Sequence, residues 1–251
     1  LMALGRPASR IEPFEGIPDV LDFPRDVQPI LDRHCVECHD ADRFAGHLDL
    51  SGDKTPRYTI SYWAMQRDNL VVDGRNQPHG NRPPYSYGSA TSRLMKLIDG
   101  SHHDAKLTPH EQDMIRYWIE SAAAYPGTYA ALGTGMIGGF PKSKLDTSDR
   151  AWPSSKAAAS AIQRRCVGCH DETIPLPKYL SDNLGFVLSN PDFSDVRVRF
   201  SRHLMFNLTR PKKSLILLAP LTCSSGGYSL CRQRSGPRRG QPANVFASAG
   251  D

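Results

Sequence analysis

Cys35-Val36-Glu37-Cys38-His39 and Cys166-Val167-Gly168-Cys169-His170 are two complete Cys-x-x-Cys-His segments in a chain of 251 residues with six cysteines. The pattern is the attachment signature of c-type haem. Two thiols three positions apart can each form a thioether with one of the porphyrin's two vinyl groups, and the adjoining His then supplies an axial nitrogen to the iron. On this reading Cys35, Cys38 and His39 hold one covalent haem c, and Cys166, Cys169 and His170 hold a second. A lone Cys-x-x-Cys also suits a thioredoxin-like dithiol or half of a zinc site. A zinc site built from both motifs would use four thiolates and leave each adjacent His unexplained.

Working outward, each motif follows a helix. Asp22-Phe23-Pro24-Arg25-Asp26-Val27 reads as a helix start with Asp22 as N-cap and Pro24 in the first turn. Val27, Ile30, Leu31 and His34 then recur at helical spacing, with a bend expected at Pro29. Before Cys166, Ser154 or Ser155 is the expected cap of an Ala-rich helix. A helix leading into Cys-x-x-Cys-His thus occurs twice, which suggests duplication.

Between the motifs, residues 40 to 88 read as a long loop with one short helix, of the kind that wraps something. Ser92 to Ile98 reads as a short apolar helix. Thr108-Pro109-His110-Glu111 is a capping box with Pro at the first helical position. Met114, Ile115, Trp118, Ile119 and Ala122 should line one face of that helix until Tyr125-Pro126-Gly127 stops it. Four glycines in Gly133 to Gly139 and the polar run to Pro153 mark a linker.

The expected architecture is therefore mainly α: two small cytochrome c-like helical domains with long loops, the second incomplete. It comprises an N-terminal extension 1–22, a first module 23–132, a linker 133–153, and a second module 154–251 ending in an extended, Arg-rich tail. Twenty Gly and twenty Pro agree with short helices between loops. A net charge of +5 would be offset by haem propionates, so no nucleic-acid partner is indicated. The longest apolar run, Leu215 to Leu221, is far below the roughly 20 residues that span a bilayer, so no transmembrane segment is expected. Leu1 to Arg10 shows no secretory signal, and the numbering is expected to begin at a mature or truncated end. Since c-type haem is attached after export in most organisms, the expected compartment is periplasmic or extracellular. There Cys223 and Cys231 either close a disulfide or remain as two buried thiols.

The sixth iron ligand decides the role, because two strong axial ligands suit electron passage and an open position suits chemistry on a small molecule. For the first haem His102 is the leading candidate, with His103 next, in the loop before the capped helix. Met95, Met65, His47 and His79 are weaker, and His34 and His110 read as structural. For the second haem His203 leads, on a stripe with Val196, Phe200, Leu204 and Leu208, and Met205 is the alternate. The expected function is electron transfer between a redox centre and an external redox partner. The alternatives are a haem enzyme with one open distal site and an assembly module that docks through the Arg-rich tail.

Three stretches carry a family resemblance: Phe23-Pro24-Arg25-Asp26-Val27-Gln28-Pro29-Ile30-Leu31-Asp32-Arg33-His34-Cys35, Tyr125-Pro126-Gly127-Thr128-Tyr129-Ala130-Ala131-Leu132-Gly133, and His203-Leu204-Met205-Phe206-Asn207-Leu208-Thr209-Arg210-Pro211. Together they resemble the planctomycete-type cytochrome c modules of large proteins similar to the hydrazine synthase alpha subunit. The resemblance implies export and a C-terminal position in a longer chain, behind a large region with a β-propeller and, as partner, an upstream haem region. In hydrazine synthase the catalytic haem takes a Tyr ligand shortly after its attachment motif, and a bis-His haem transfers electrons. Here Arg43 stands four positions after His39, and Thr173 and Ile174 follow His170, so no Tyr occupies that place. Hydrazine synthesis is not supported by these residues, and the first module matches the electron-transfer haem.

Overall fold

The computed structural model describes residues 5, 7–8, 10, 12–56, 58–74, 80–127, 147–170, 176–182, 205–234, 236–243 and 245–246. Over these residues the chain is mainly helical, and β-pairing is confined to isolated bridges.

The first helix begins where Asp22 accepts the Arg25 N–H at 3.1 Å. Its opening turn, Phe23–Val27, is π-helical, and the Gln28 N–H reaches back five residues to Phe23 O. The cause lies one residue on. Pro29 has no N–H to give and its ring crowds the carbonyl four residues back, so the ladder widens before resuming as α1, Gln28–His34. The bend expected at Pro29 thus takes the form of a π-turn ahead of it.

Among the described residues of the long loop, α2, Ile60–Arg67, is the α-helix, capped by Thr59, whose hydroxyl accepts the Tyr62 N–H, and Ala45–His47 forms a 3-10 turn. α3 spans Arg93–Leu97. α4, Pro109–Glu120, carries both bonds of the expected capping box: Thr108 Oγ1 accepts the Glu111 N–H, and Glu111 accepts the Thr108 N–H. Its face of Met114, Ile115, Trp118 and Ile119 is buried. The helix stops at Glu120, before Tyr125, because Ala122 and Ala123 take left-handed φ values of 68° and 44°. Ala123, rather than Ala122, is then the buried alanine. Its carbonyl receives the Tyr62 hydroxyl at 2.9 Å, and the Ala124 carbonyl receives the Trp118 indole N–H at 2.9 Å.

One core results. Phe23 and Trp118 are fully buried, and the Phe23 ring lies 5.2 Å from both Tyr62 and Trp118. Burying side chains of this size is worth about 1.5–3 kcal/mol each, so this cluster is the main support of the first motif. Within the expected extension 1–22, Phe14 stacks on Tyr117 at 4.2 Å, and Ile17 and Leu21 pack on the core.

α5, Pro153–Arg165, follows the 3-10 turn Ser148–Ala151. Neither Ser154 nor Ser155 caps it. The N-cap position is Trp152 and Pro153 is the first helical residue, which places both serines inside the helix. Its buried face is Ala159 and Ile162.

Residues 205–228 seat on the first unit. Asp53 accepts from Asn207 Nδ2 at 2.5 Å and from Arg210 Nε at 2.6 Å. Leu208 N–H bonds Lys54 O at 2.7 Å, and Lys213 pairs with Asp42. Leu208, expected on an apolar stripe, is exposed. α6, Leu215–Leu218, is a single turn. The tail expected to be extended is folded back on itself: Gln233 N–H bonds Gln241 O and Ala243 N–H bonds Cys231 O, both at 2.9 Å. Among the described residues no helix is long and apolar enough to cross a membrane. Most of the expected linker and the stripe 195–204 lie outside the described residues.

Candidate functional site

Both motifs continue the last turn of a helix. After α1, Cys35 N–H bonds Leu31 O at 2.8 Å, Cys38 N–H bonds Cys35 O at 3.2 Å, and His39 N–H bonds Cys35 O at 2.9 Å. After α5, Cys166 bonds Ile162 O at 2.9 Å, Cys169 bonds Cys166 O at 3.0 Å, and His170 bonds Cys166 O at 2.9 Å. One helical turn therefore separates the two thiols of each pair. Cys35 is half-buried against the core and Cys38 is exposed. Burial pushes the Cys35 thiol up to about 11, with Cys38 adding to the shift, and burial likewise raises Cys166.

Beyond His39 the chain wraps the imidazole. Asp40 Oδ1 accepts the N–H groups of Asp42 and Arg43 at 2.9 and 2.7 Å, and Phe44 turns left-handed at φ 45°. This brings the Ala45 carbonyl 2.9 Å from His39 Nδ1. A carbonyl only accepts, so Nδ1 carries the proton and the Nε2 lone pair is left for an electrophile, the arrangement that orients a metal-bound histidine.

His102 faces this ring. It sits in the turn between Asp99 and Lys106, which form a β-bridge, and Ser101 N–H bonds Asp99 Oδ1 at 2.8 Å. The His39 and His102 ring centroids are 5.9 Å apart with planes 18° from parallel. That gap is wider than face-to-face contact. Two imidazoles at this separation lie within reach of a single ion, given a metal–nitrogen bond of about 2 Å. Burial, then His103 and His39, lower the basicity of His102, which favours the neutral ring that can ligate. His103 is exposed and its ring meets His102 edge-on at 4.7 Å. Val36, Leu48, Met95 and Leu97 lie half-covered against the core.

The remaining candidates sort as follows. Met65 is fully buried and Met95 packs on the core. His47 is exposed, with its ring against Phe44 at 5.7 Å. His34 Nε2 lies 3.2 Å from Glu111 Oε1 and ties α1 to α4, and His110 is exposed. His79 and His203 lie outside the described residues, while Met205 is buried. The six cysteines form no disulfide. Cys223 is exposed and Cys231 half-buried, which differs from both a Cys223–Cys231 bridge and two buried thiols. Burial, Cys166 and Cys169 raise the Cys231 thiol, so the tail runs beside the second motif. Among the described residues, no group of three or more His, Cys, Asp or Glu side chains converges as a metal-ion cluster.

Two contributors were not visible in the sequence. Tyr228 bonds the Ala41 carbonyl and Arg234 bonds the Cys169 carbonyl, each across more than sixty residues of chain, with no local pattern to announce them. No family model, curated protein or solved structure matches the chain.

Proposed function

We propose that this chain is a dihaem c-type cytochrome that passes electrons between a redox centre and an external partner protein. The single observation that carries the reading is the neighbouring His39–His102 pair, 5.9 Å apart and near parallel, with His39 Nδ1 engaged by Ala45 O directly after Cys35 and Cys38. A covalently attached haem supplies an iron that cycles between two oxidation states.

In this reading Cys35 and Cys38 would anchor the first haem, and His39 and His102 would hold its iron. Ala45 O fixes the His39 tautomer and makes Nε2 more basic. Two strong nitrogen ligands leave no open position and favour electron transfer at a lower potential than a His/Met pair. Cys166, Cys169 and His170 hold the second haem, with His203 as sixth ligand and Met205 as the alternate. The same reading places the protein in the periplasm or outside the cell, and sets it beside the planctomycete-type modules it resembles, with an upstream haem region as one redox partner.

The test is a pyridine haemochrome count followed by a redox-titrated absorption spectrum of the full chain and of His102→Ala. The expected result is two covalent haems per chain, with one converted from low to high spin in the variant. A wild-type chain matured with a haem-attachment system that carries no covalent haem overturns the reading. An unchanged spectrum in His102→Ala removes His102 as ligand.

A further inference from the structure

The segment Tyr228–Arg234 runs from the turn just after the first attachment motif to the second motif itself. At its start the Tyr228 hydroxyl donates to Ala41 O at 2.7 Å, two residues past His39. The Tyr228 ring stacks on Phe44 with centroids 4.8 Å apart and planes 5° apart. Phe44 is the left-handed residue directly before Ala45, whose carbonyl holds His39 Nδ1. At the other end the Arg234 guanidinium donates to Cys169 O at 3.0 Å, one residue before His170. Six residue steps join the two ends, at most about 21 Å of extended chain.

The segment is held along its length. The N–H groups of Tyr228, Ser229 and Leu230 bond the carbonyls of Leu218, Leu221 and Ala219 at 2.8, 2.9 and 2.8 Å. Cys231 O and Gln233 N then pair with Ala243 N and Gln241 O. Just before it, a Cβ on Gly227 would lie 2.3 Å from Leu221 O, so only glycine permits this close approach. Burial first, then Asp49 and Asp40, push the Tyr228 hydroxyl up to about 12, so it keeps its proton and remains a donor.

We propose that Tyr228–Arg234 is a strap that positions both attachment motifs at once, Tyr228 acting on His39 through the Phe44–Ala45 turn and Arg234 acting on His170 through the Cys169 carbonyl. The proposal rests on the dihaem reading. Tyr228 and Arg234 are positioning residues that touch neither iron. Releasing Phe44 loosens the Ala45 carbonyl from His39 Nδ1, lowers the basicity of Nε2 and so stabilises the oxidised iron less. Releasing Arg234 frees the second motif relative to the first. An electron leaving one haem then reaches the other more slowly.

The experiment uses the full haem-loaded chain and its variants Tyr228→Ala, Tyr228→Phe and Arg234→Ala, each with haem count and thermal unfolding recorded alongside. Midpoint potentials are titrated, and electron exchange between the haems is followed after flash reduction by a flavin semiquinone. Tyr228→Ala is expected to raise the first haem's potential, and Tyr228→Phe, which keeps the ring stack, to raise it less. Arg234→Ala is expected to leave the first haem's potential unchanged. It should slow exchange by about tenfold or more, the scale on which ångström misplacement acts. Two haems with wild-type potentials and exchange in the Ala variants overturn the strap and leave the cytochrome reading standing, and so does a response at only one end. A wild-type chain without covalent haem overturns the reading itself.

Discussion

Around Cys35 and around Cys166 the same three backbone hydrogen bonds recur within 0.2 Å of one another, yet the two helices that deliver the motifs stand in different surroundings. α1 buries Gln28 and sets Ile30 and Leu31 within one large aromatic and aliphatic cluster, whereas α5 buries Ala159 and Ile162. A Cys-x-x-Cys-His turn is therefore a local property, set by the end of a helix. The support beneath it, and the His102 ring that lies beside His39, are tertiary.

Truncation of the two helices should expose that difference most strongly. Leu31 is 1% exposed and Ile162 7% exposed. Leu31→Ala opens a cavity in a dense core and should cost about 3–5 kcal/mol, while Ile162→Ala, against a thinner face, should cost about 2 kcal/mol. Denaturant unfolding of the two variants reads both values. Equal losses would show that α5 is supported as firmly as α1.

The next break lies where the C-terminal segment leans on the first unit. Asp53 is buried and accepts from both Asn207 and Arg210. Asp53→Ala leaves both donors without their acceptor, a loss of about 2–3 kcal/mol. Proteolysis should then accelerate in residues 205–228 and leave the segment around α4 resistant, as mass spectrometry of the fragments would show. Cleavage unchanged from wild type would mean that the segment is held by its apolar contacts alone.

How much of this was legible in the sequence follows the same division. The Asp22 cap and the capping box at Thr108 and Glu111 are signalled within four residues of where they act and form as read, and the apolar face of α4 forms as read except at Ala122. At the start of α5 the cap preference of Ser154 and Ser155 points one way and Pro153, which fits the first helical position, points the other, and the proline prevails. The seating of 205–228 depends on partners such as Asp53 and Arg210, 157 residues apart. No periodicity encodes such a pair. His102 was readable as a candidate from its loop, but its opposition to His39 comes from the turn built by Asp99, Ser101 and Lys106.

A milder contrast concerns charge. Arg33 and His34, in the last turn of α1, both meet Glu111 Oε1, at 2.9 and 3.2 Å. Burial pulls the Glu111 carboxyl upward, but the Thr108 N–H, Arg33, His34 and the Thr108 hydroxyl together hold it at about 2, against an ordinary 4.5. The folded value is the lower one. The stabilisation is therefore complete above about pH 4.5 and disappears as the pH falls toward 2. Glu111→Gln should cost about 1–2 kcal/mol at neutral pH, and the gap to wild type should close across that window when stability is measured by denaturant at successive pH values. A gap that persists at pH 2 would assign the effect to packing.

On α5 the corresponding side-chain tie is Lys178 Nζ to Gln163 Oε1 at 2.5 Å, on the exposed surface. An ammonium at such a site gives up strong hydration for one neutral acceptor, and its long stem loses rotamer freedom. Lys178→Ala should therefore change stability by about 0.5 kcal/mol or less, with little dependence on pH between 2 and 4.5 because no carboxylate takes part in the bond. A loss comparable to that of Glu111→Gln would mean that α5 is clamped as α1 is, and that the two motifs differ less in their support than their buried faces indicate.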